Sequence, residues 1–286
     1  MSLAFHTLPD GARLACLSQG QGAPLVMVHG SLCDYRYWNA QDRALAHVLR
    51  CHAVSLPHYH PVPEQSVPFS WQGHALELAA FIDRECGGRA HLLGHSRGGA
   101  VALRLALDAP TRVLSLTLAD PGGAVVDADE TYDEAACTQR DGDEPDSAAA
   151  RAQAARLVAE GDIDAGLARF VDAVSRPGTW RQSPEAFRAM ARDNAGTLPL
   201  QLRDAPAYFD SAALRALDVP VLLIGGEKSP ARFHATIERL HACLPDVRRE
   251  VIAGASHGMN LAHPRAFNRL LMDFIQARSE PSDHRR

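Results

Sequence analysis

No run of apolar residues in this chain approaches the roughly 20 that a membrane-spanning helix requires. The opening stretch MSLAFHTLPDGARL has neither the basic segment nor the apolar core of a secretory leader, so no leader is expected. Positive charge is not in excess: the formal net charge is −5, which leaves nucleic-acid binding without an electrostatic footing. The six cysteines (Cys16, Cys33, Cys51, Cys86, Cys137 and Cys243) show no CxxC pair and no metal-ligand spacing. In a chain of this length they read as reduced thiols rather than a disulfide framework. Internal repeats are absent too. Together these absences predict a cytoplasmic protein with neither membrane nor nucleic acid as a partner.

What is present is material for a large core. The chain has 286 residues, 46% hydrophobic and 22% charged, and a domain of this size buries roughly 75% of its unfolded surface without needing a disulfide or a metal. Leu3–Thr7 and Arg13–Ser18 flank the turn Pro9-Asp-Gly11 as a hairpin would. Pro24–His29 is an aliphatic run stopped by Gly30, a buried-strand pattern. A helix over Tyr37–Leu49, a strand over His52–Leu56 and a helix over Trp71–Cys86 follow. Then come strand Ala90–Leu93, turn Gly94–Gly98, helix Gly99–Asp108 and strand Val113–Ala119. Alternation of this kind predicts an α/β fold, a mostly parallel sheet flanked by helices.

From about Gly122 to Asp210 strand patterns vanish and Ala, Arg, Asp and Glu dominate, with helical stretches at Ser147–Glu160, Ile163–Val174 and Pro184–Asn194. Val126–Asp146 is acidic and reads as a mobile loop. Strand Val219–Ile224, helix Pro230–Cys243, strand Arg249–Ile252 and helix Pro264–Ala277 complete the pattern. The predicted organisation is an α/β core over 1–122 and 214–278, a helical insertion over 123–213 and a disordered tail over 279–286.

The sharpest motif is Gly94-His-Ser-Arg-Gly98, a G-x-S-x-G between an apolar strand and an alanine-rich helix. A strand that passes directly into a helix forces the middle residue into strained backbone, and the small neighbours permit the tight turn. Ser96 Oγ is thereby exposed above the sheet at the positive end of the following helix.

Together with His29-Gly30 after a buried strand, the insertion, and a late Gly254-Ala-Ser-His257, this elbow makes the chain resemble the α/β-hydrolase superfamily across essentially its whole core. The resemblance implies an α/β-hydrolase fold whose insertion is a helical cap, and a cofactor-independent serine hydrolase acting on a small ester, lactone or thioester. It implies Ser96 as nucleophile and His257, in the small-residue loop after the last strand, as base. It assigns the oxyanion donors to the backbone N–H groups of Ser31 and Arg97, with Leu32 competing for the place of Ser31. His95, beside the nucleophile, is expected to pack. The same resemblance leaves open carbon–carbon bond hydrolysis, cofactor-free oxygenase or lyase chemistry, or a non-catalytic small-ligand receptor. It also leaves room for a homodimer formed through edge strands or caps.

The acid is where the chain departs from the pattern. The family commonly places it after the strand that follows the cap, as Gly-Glu-x-Asp. Aligned on Gly226-Glu-Lys-Ser229, that puts Ser229 where the aspartate belongs, and a neutral hydroxyl cannot stabilise an imidazolium as a carboxylate does. Asp120, ending strand Val113–Ala119 before Pro121-Gly-Gly123, is the first candidate, because parallel strands end on one face. Glu227 is the alternative. Another departure is Ser55–Pro61, where His58, Tyr59 and His60 replace a glycine-rich turn. His58, Leu32, Tyr35 and Trp38 are candidates for substrate contact. His58 and His60 have no third ligand in sequence, and no metal site is expected.

Overall fold

The computed structural model describes residues 3–127 and 145–279. The acidic stretch Val126–Asp146 and the tail 279–286 fall almost entirely outside the described residues, as does Cys137.

The N-terminal hairpin joins β1 (Leu3–Thr7) to β2 (Arg13–Gln19) in antiparallel register, Leu3 opposite Leu17 and Thr7 opposite Arg13. Its turn closes through Leu8 N–H to the Ala12 carbonyl at 2.8 Å, with Gly11 at φ +88°, a conformation glycine adopts without steric cost. The hairpin extends a sheet that continues through β3 (Ala23–Val28), β4 (Leu49–Ser55), β5 (Ala90–His95), β6 (Val113–Ala119), β9 (Val221–Gly226) and β10 (Val247–Ile252). The eight strands run in the order β1-β2-β4-β3-β5-β6-β9-β10. From β4 to β10 every pairing is parallel; only β1/β2 and β2/β4 are antiparallel.

The central strands are buried along their whole length: β5 (AHLLGH) and β9 (VLLIGG) have no exposed residue. Because side chains alternate across a strand, Val26, Leu92, Leu116 and Leu223 pack on one face. Met27, Leu93, Ala119 and Leu222 pack on the other. Helices α2 (Trp71–Glu85), α3 (Arg97–Asp108) and α10 (Ala231–Cys243) supply the first core, and α1 (Asn39–Leu45) and α12 (Pro264–Ser279) the second. The helix expected over Tyr37–Leu49 is shorter. A 3-10 turn at Tyr35–Trp38 leads into α1, and β4 begins already at Leu49.

Between β6 and β9 the chain builds α4 (Pro145–Ala159), α5 (Ile163–Val174), α6 (Thr179–Gln182), α7 (Glu185–Asp193) and α8 (Thr197–Gln201). These enclose a third core of Ala154, Leu167, Phe170, Trp180 and Leu198. Two short strands that the sequence pattern does not reveal, β7 (Ala124–Val126) and β8 (Tyr208–Asp210), pair in parallel where the insertion leaves and rejoins the sheet. The short α9 (Ser211–Arg215) and α11 (Met259–Ala262) and a 3-10 turn at Pro110–Arg112 complete the described elements.

Candidate active site

The carboxyl ends of β3, β4, β5, β6, β9 and β10 form one edge, and β3 is the strand from which the order runs outward in both directions, to β4 and to β5. Crevices at such switch points are where open parallel sheets bind ligands. The backbone here is unusual. Four described non-glycine residues have positive φ, and each lies just past a strand's carboxyl end: Leu32 (+61°), His58 (+70°), Ser96 (+51°) and Asp120 (+39°). Each such residue costs on the order of 1–3 kcal/mol and persists only where its surroundings enforce it.

Ser96 sits between β5 and α3 with φ 51° and ψ −123°. Its glycines are dictated by contact. A Cβ on Gly98 would lie 2.3 Å from the His29 carbonyl oxygen, and one on Gly94 would lie 2.5 Å from that of Gly98. Gly30 is equally confined, since a Cβ there would lie 2.9 Å from His95 Nδ1 and 3.1 Å from Ser96 Cβ, so the loop after β3 comes directly against the Ser96 turn. His29 holds that loop: its ring donates to the Gly30 carbonyl at 2.8 Å and accepts from Leu56 N–H at 3.1 Å. Burial lowers its pKa to about 4, which keeps it neutral. Arg97 opens α3, so its N–H has no partner within the helix, and Ser31 follows Gly30 on the facing loop.

His257 lies between β10 and α11. Its ring stacks on Phe233 (centroids 4.0 Å apart, 13° between planes) and lies 4.5 Å from the ring of His95. His95 donates from Nε2 to the His257 carbonyl at 2.8 Å, so this buried residue supports the histidine loop as well as packing. Tyr37 donates to Asn260 Oδ1 at 2.8 Å behind it. The His257 Nδ1 proton points at Asp120 Oδ2, 3.1 Å away, and the Asp120 side chain is fully buried. Burial raises the Asp120 carboxyl to about 6, opposed chiefly by the Ser229 hydroxyl. Burial, reinforced by Arg232, favours the neutral imidazole.

Glu227 stands apart. It is exposed, and its Oε2 accepts the Gly254 N–H at 2.7 Å, a backbone contact rather than one with the imidazole. In this turn the inward position belongs to Ser229, whose N–H closes on the Gly226 carbonyl at 3.0 Å.

A cavity of about 380 Å³ opens above Ser96, Ser31 and Arg97, walled by Trp71, Phe170 and Phe233 among others. The four residues expected to contact substrate do not line it. Leu32, at positive φ, is buried in the third core, in the cluster that holds Ala154 and Leu198. Trp38 is buried under the sheet with Leu45 and Phe274, and Tyr35 packs on that same cluster while its N–H donates to Ser55 Oγ at 3.1 Å. His58 is spent on its own loop, Nε2 donating to the Val67 carbonyl at 2.9 Å. Gln201 and Asp204, which line the cavity instead, come from the end of α8 and the segment just after it. Gln201 accepts from Ser31 Oγ at 2.7 Å, and Asp204 takes Arg97 at 2.5 Å and the Trp71 N–H at 3.0 Å. No local pattern marks them, because their partners lie 107–170 residues away. Among the described residues no cluster of three or more His, Cys, Asp or Glu side chains is placed to hold a metal ion.

A mostly parallel sheet with a serine on a strand-to-helix turn, and a carboxylate–imidazole pair brought together from the ends of β6 and β10 on either side of β9, is the architecture of an α/β hydrolase. The model of the alpha/beta hydrolase family matches residues 25–270, and the chain belongs to that family. It is 29% identical over 273 residues to a pimeloyl-[acyl-carrier protein] methyl ester esterase of Aeromonas hydrophila, covering 90% of this chain and 96% of that protein. It is 30% identical over 283 residues to the polyketide synthase ThaQ of Burkholderia thailandensis, covering 96% of this chain but spanning only 13% of the synthase. Among solved structures, the esterase RhEst1 of Rhodococcus sp. ECU1013 superposes with a TM-score of 0.77 at 21% identity, covering 97% of this chain and 99% of that one. That last likeness is one of fold.

Proposed function

We propose that this protein is a serine hydrolase that cleaves a small ester, lactone or thioester through an acyl-enzyme on Ser96. The observation that carries this reading is the buried contact of His257 Nδ1 with Asp120 Oδ2 at 3.1 Å, beside a cavity that Ser96 lines. With Nδ1–H held by the carboxylate, Nε2 is the basic nitrogen of the ring. It takes the Ser96 hydroxyl proton as Oγ bonds to the substrate carbonyl carbon, and the carbonyl electron pair moves onto oxygen. The N–H groups of Ser31 and Arg97 receive that oxyanion, each such donor being worth roughly 3 kcal/mol in comparable sites. When the intermediate collapses, the bond to the leaving alcohol or thiol breaks and the leaving group takes the proton from Nε2. Water then repeats the sequence: its proton goes to Nε2, its oxygen bonds the acyl carbon, and the bond to Oγ breaks as Ser96 regains a proton.

The cavity volume is at the small end of the ~300–1,000 Å³ range of ligand sites, and its aromatic walls suit a short acyl or alcohol group. The methyl ester in the Aeromonas relative's name supports a small-alcohol ester as the first substrate to try. The buried thiols Cys16, Cys33 and Cys51 fit a reducing compartment, the cytoplasm. The test is intact-mass labelling with a small fluorophosphonate. One adduct on the wild type and none on Ser96→Ala is expected. An unlabelled folded wild type, under conditions that label a control hydrolase, would remove the nucleophile from the argument.

A further inference from the structure

We propose that Ser229 is a positioning residue for Asp120: its hydroxyl, standing where the family's usual carboxylate would be, holds the displaced acid in register with His257. The proposal rests on the reading of Asp120 and His257 as orienting acid and base. Ser229 is buried, and its Oγ donates to Asp120 Oδ2 at 2.5 Å, the same oxygen that receives the His257 Nδ1 proton at 3.1 Å. Among the described side chains only these two bond the carboxylate, and Oδ1 has no comparable partner.

The turn leaves the hydroxyl little freedom. Ser229 N–H closes on Gly226, and Lys228 N–H donates to the Ala255 carbonyl at 2.7 Å. A Cβ at Gly226 would lie 2.7 Å from Ser229 Oγ and 2.8 Å from the Ala255 carbonyl oxygen, so the turn is pressed against the histidine loop. Those backbone bonds already close the turn, so the loop's shape does not call for a hydroxyl; the carboxylate does. A donor on an anion favours the anion, and here it works with His95, His234 and the Gly226 backbone against the burial of Asp120. Tyr37 also faces the carboxylate, and Arg232 faces the imidazole.

Two variants and two readouts test this. In Ser229→Ala the carboxylate loses its charge-favouring donor, so the acidic limb of the kcat/KM profile moves up by about one pH unit. The expected kcat falls about tenfold while KM stays within twofold. An unchanged limb and kcat in the folded variant would overturn the proposal. Asp120→Ser is expected to lose at least 10³-fold in kcat, and adding Ser229→Asp to it to recover at least a hundredfold, since Ser229 Oγ already reaches the oxygen that faces His257 Nδ1. A double variant no better than Asp120→Ser overturns that equivalence, even if Ser229→Ala does not fold. The second readout needs no turnover. Followed by NMR, the His257 imidazole of Ser229→Ala titrates at higher pH than in the wild type. An absent fluorophosphonate adduct on the wild type would count against the hydrolase reading, and the titration would still decide for or against Ser229.

Discussion

Asp120→Asn separates what the buried carboxylate does for catalysis from what it does to stability. In the proposed attack His257 becomes a cation 3.1 Å from Asp120 Oδ2, and two unit charges at that distance attract by about 5 kcal/mol at an effective dielectric of about 20. The amide oxygen of asparagine keeps a neutral hydrogen bond worth about 1 kcal/mol. The net loss of about 4 kcal/mol predicts a kcat about 10³-fold lower, measured on a short-chain ester at pH 8. Glu227→Gln, altering an exposed contact to Gly254 N–H, is expected to stay within threefold of the wild type. Stability should move the other way. The native carboxyl holds its proton up to about pH 6, against 3.8 for an ordinary aspartate. The native state therefore binds the proton more tightly, and stability declines as pH rises through that interval. Above pH 6 the full penalty of burying the anion, on the order of 2–3 kcal/mol, is present. The amide escapes it, so at pH 8 Asp120→Asn is expected to melt several degrees above the wild type, and at pH 4 to show little gain. If Asp120→Asn keeps more than a tenth of the activity while Glu227→Gln loses a hundredfold, the assignment of the acid is refuted.

Asp204→Asn leaves the Arg97 guanidinium buried with a neutral partner and is expected to cost about 3 kcal/mol, read as a lower denaturation midpoint. Replacing both by Met and Leu should recover part of that loss. Leu32→Ala removes the one core residue planted in the cap cluster, with an expected cost of about 2–4 kcal/mol, faster proteolysis within the cap and a raised KM. Gly98→Ala forces a methyl to 2.3 Å from the His29 carbonyl oxygen and should destabilise by at least ~2 kcal/mol, visible in thermal melts even where the protein stays soluble.

Much of this molecule can be read from pattern. Strand Val113–Ala119 and helix Ile163–Val174 lie where periodicity sets them, because a buried strand or an amphipathic helix must write its packing into consecutive residues. That Asp120 and His257 can meet follows from the shared direction of parallel strand ends, although they lie 137 residues apart. The loops are different. Leu32, Tyr35 and Trp38 look alike as apolar residues in the loop after β3. The first, at positive φ, joins the third core among the inserted helices, while the other two pack against the core beneath the sheet. The strands β7 and β8 are three residues each, too short for alternation to register. Gln201, Asp204 and Ser229 acquire meaning only from partners brought by the fold.

The two parts of the helical insertion are tied to the sheet unequally. Its last part reaches into the machinery: Asp204 to Arg97, Gln201 to Ser31, and Asn194 to Asp34 at 2.8 Å. The first and longest helices, Pro145–Ala159 and Ile163–Val174, instead pack chiefly on each other, and Phe170 and Val174 look down into the cavity. Changes in the first two helices can therefore reshape the cavity wall while the later segment keeps its ties to Ser31 and Arg97. Libraries seeking new substrates belong in the first two helices, and the residues from Asn194 to Asp204 are the ones to leave alone.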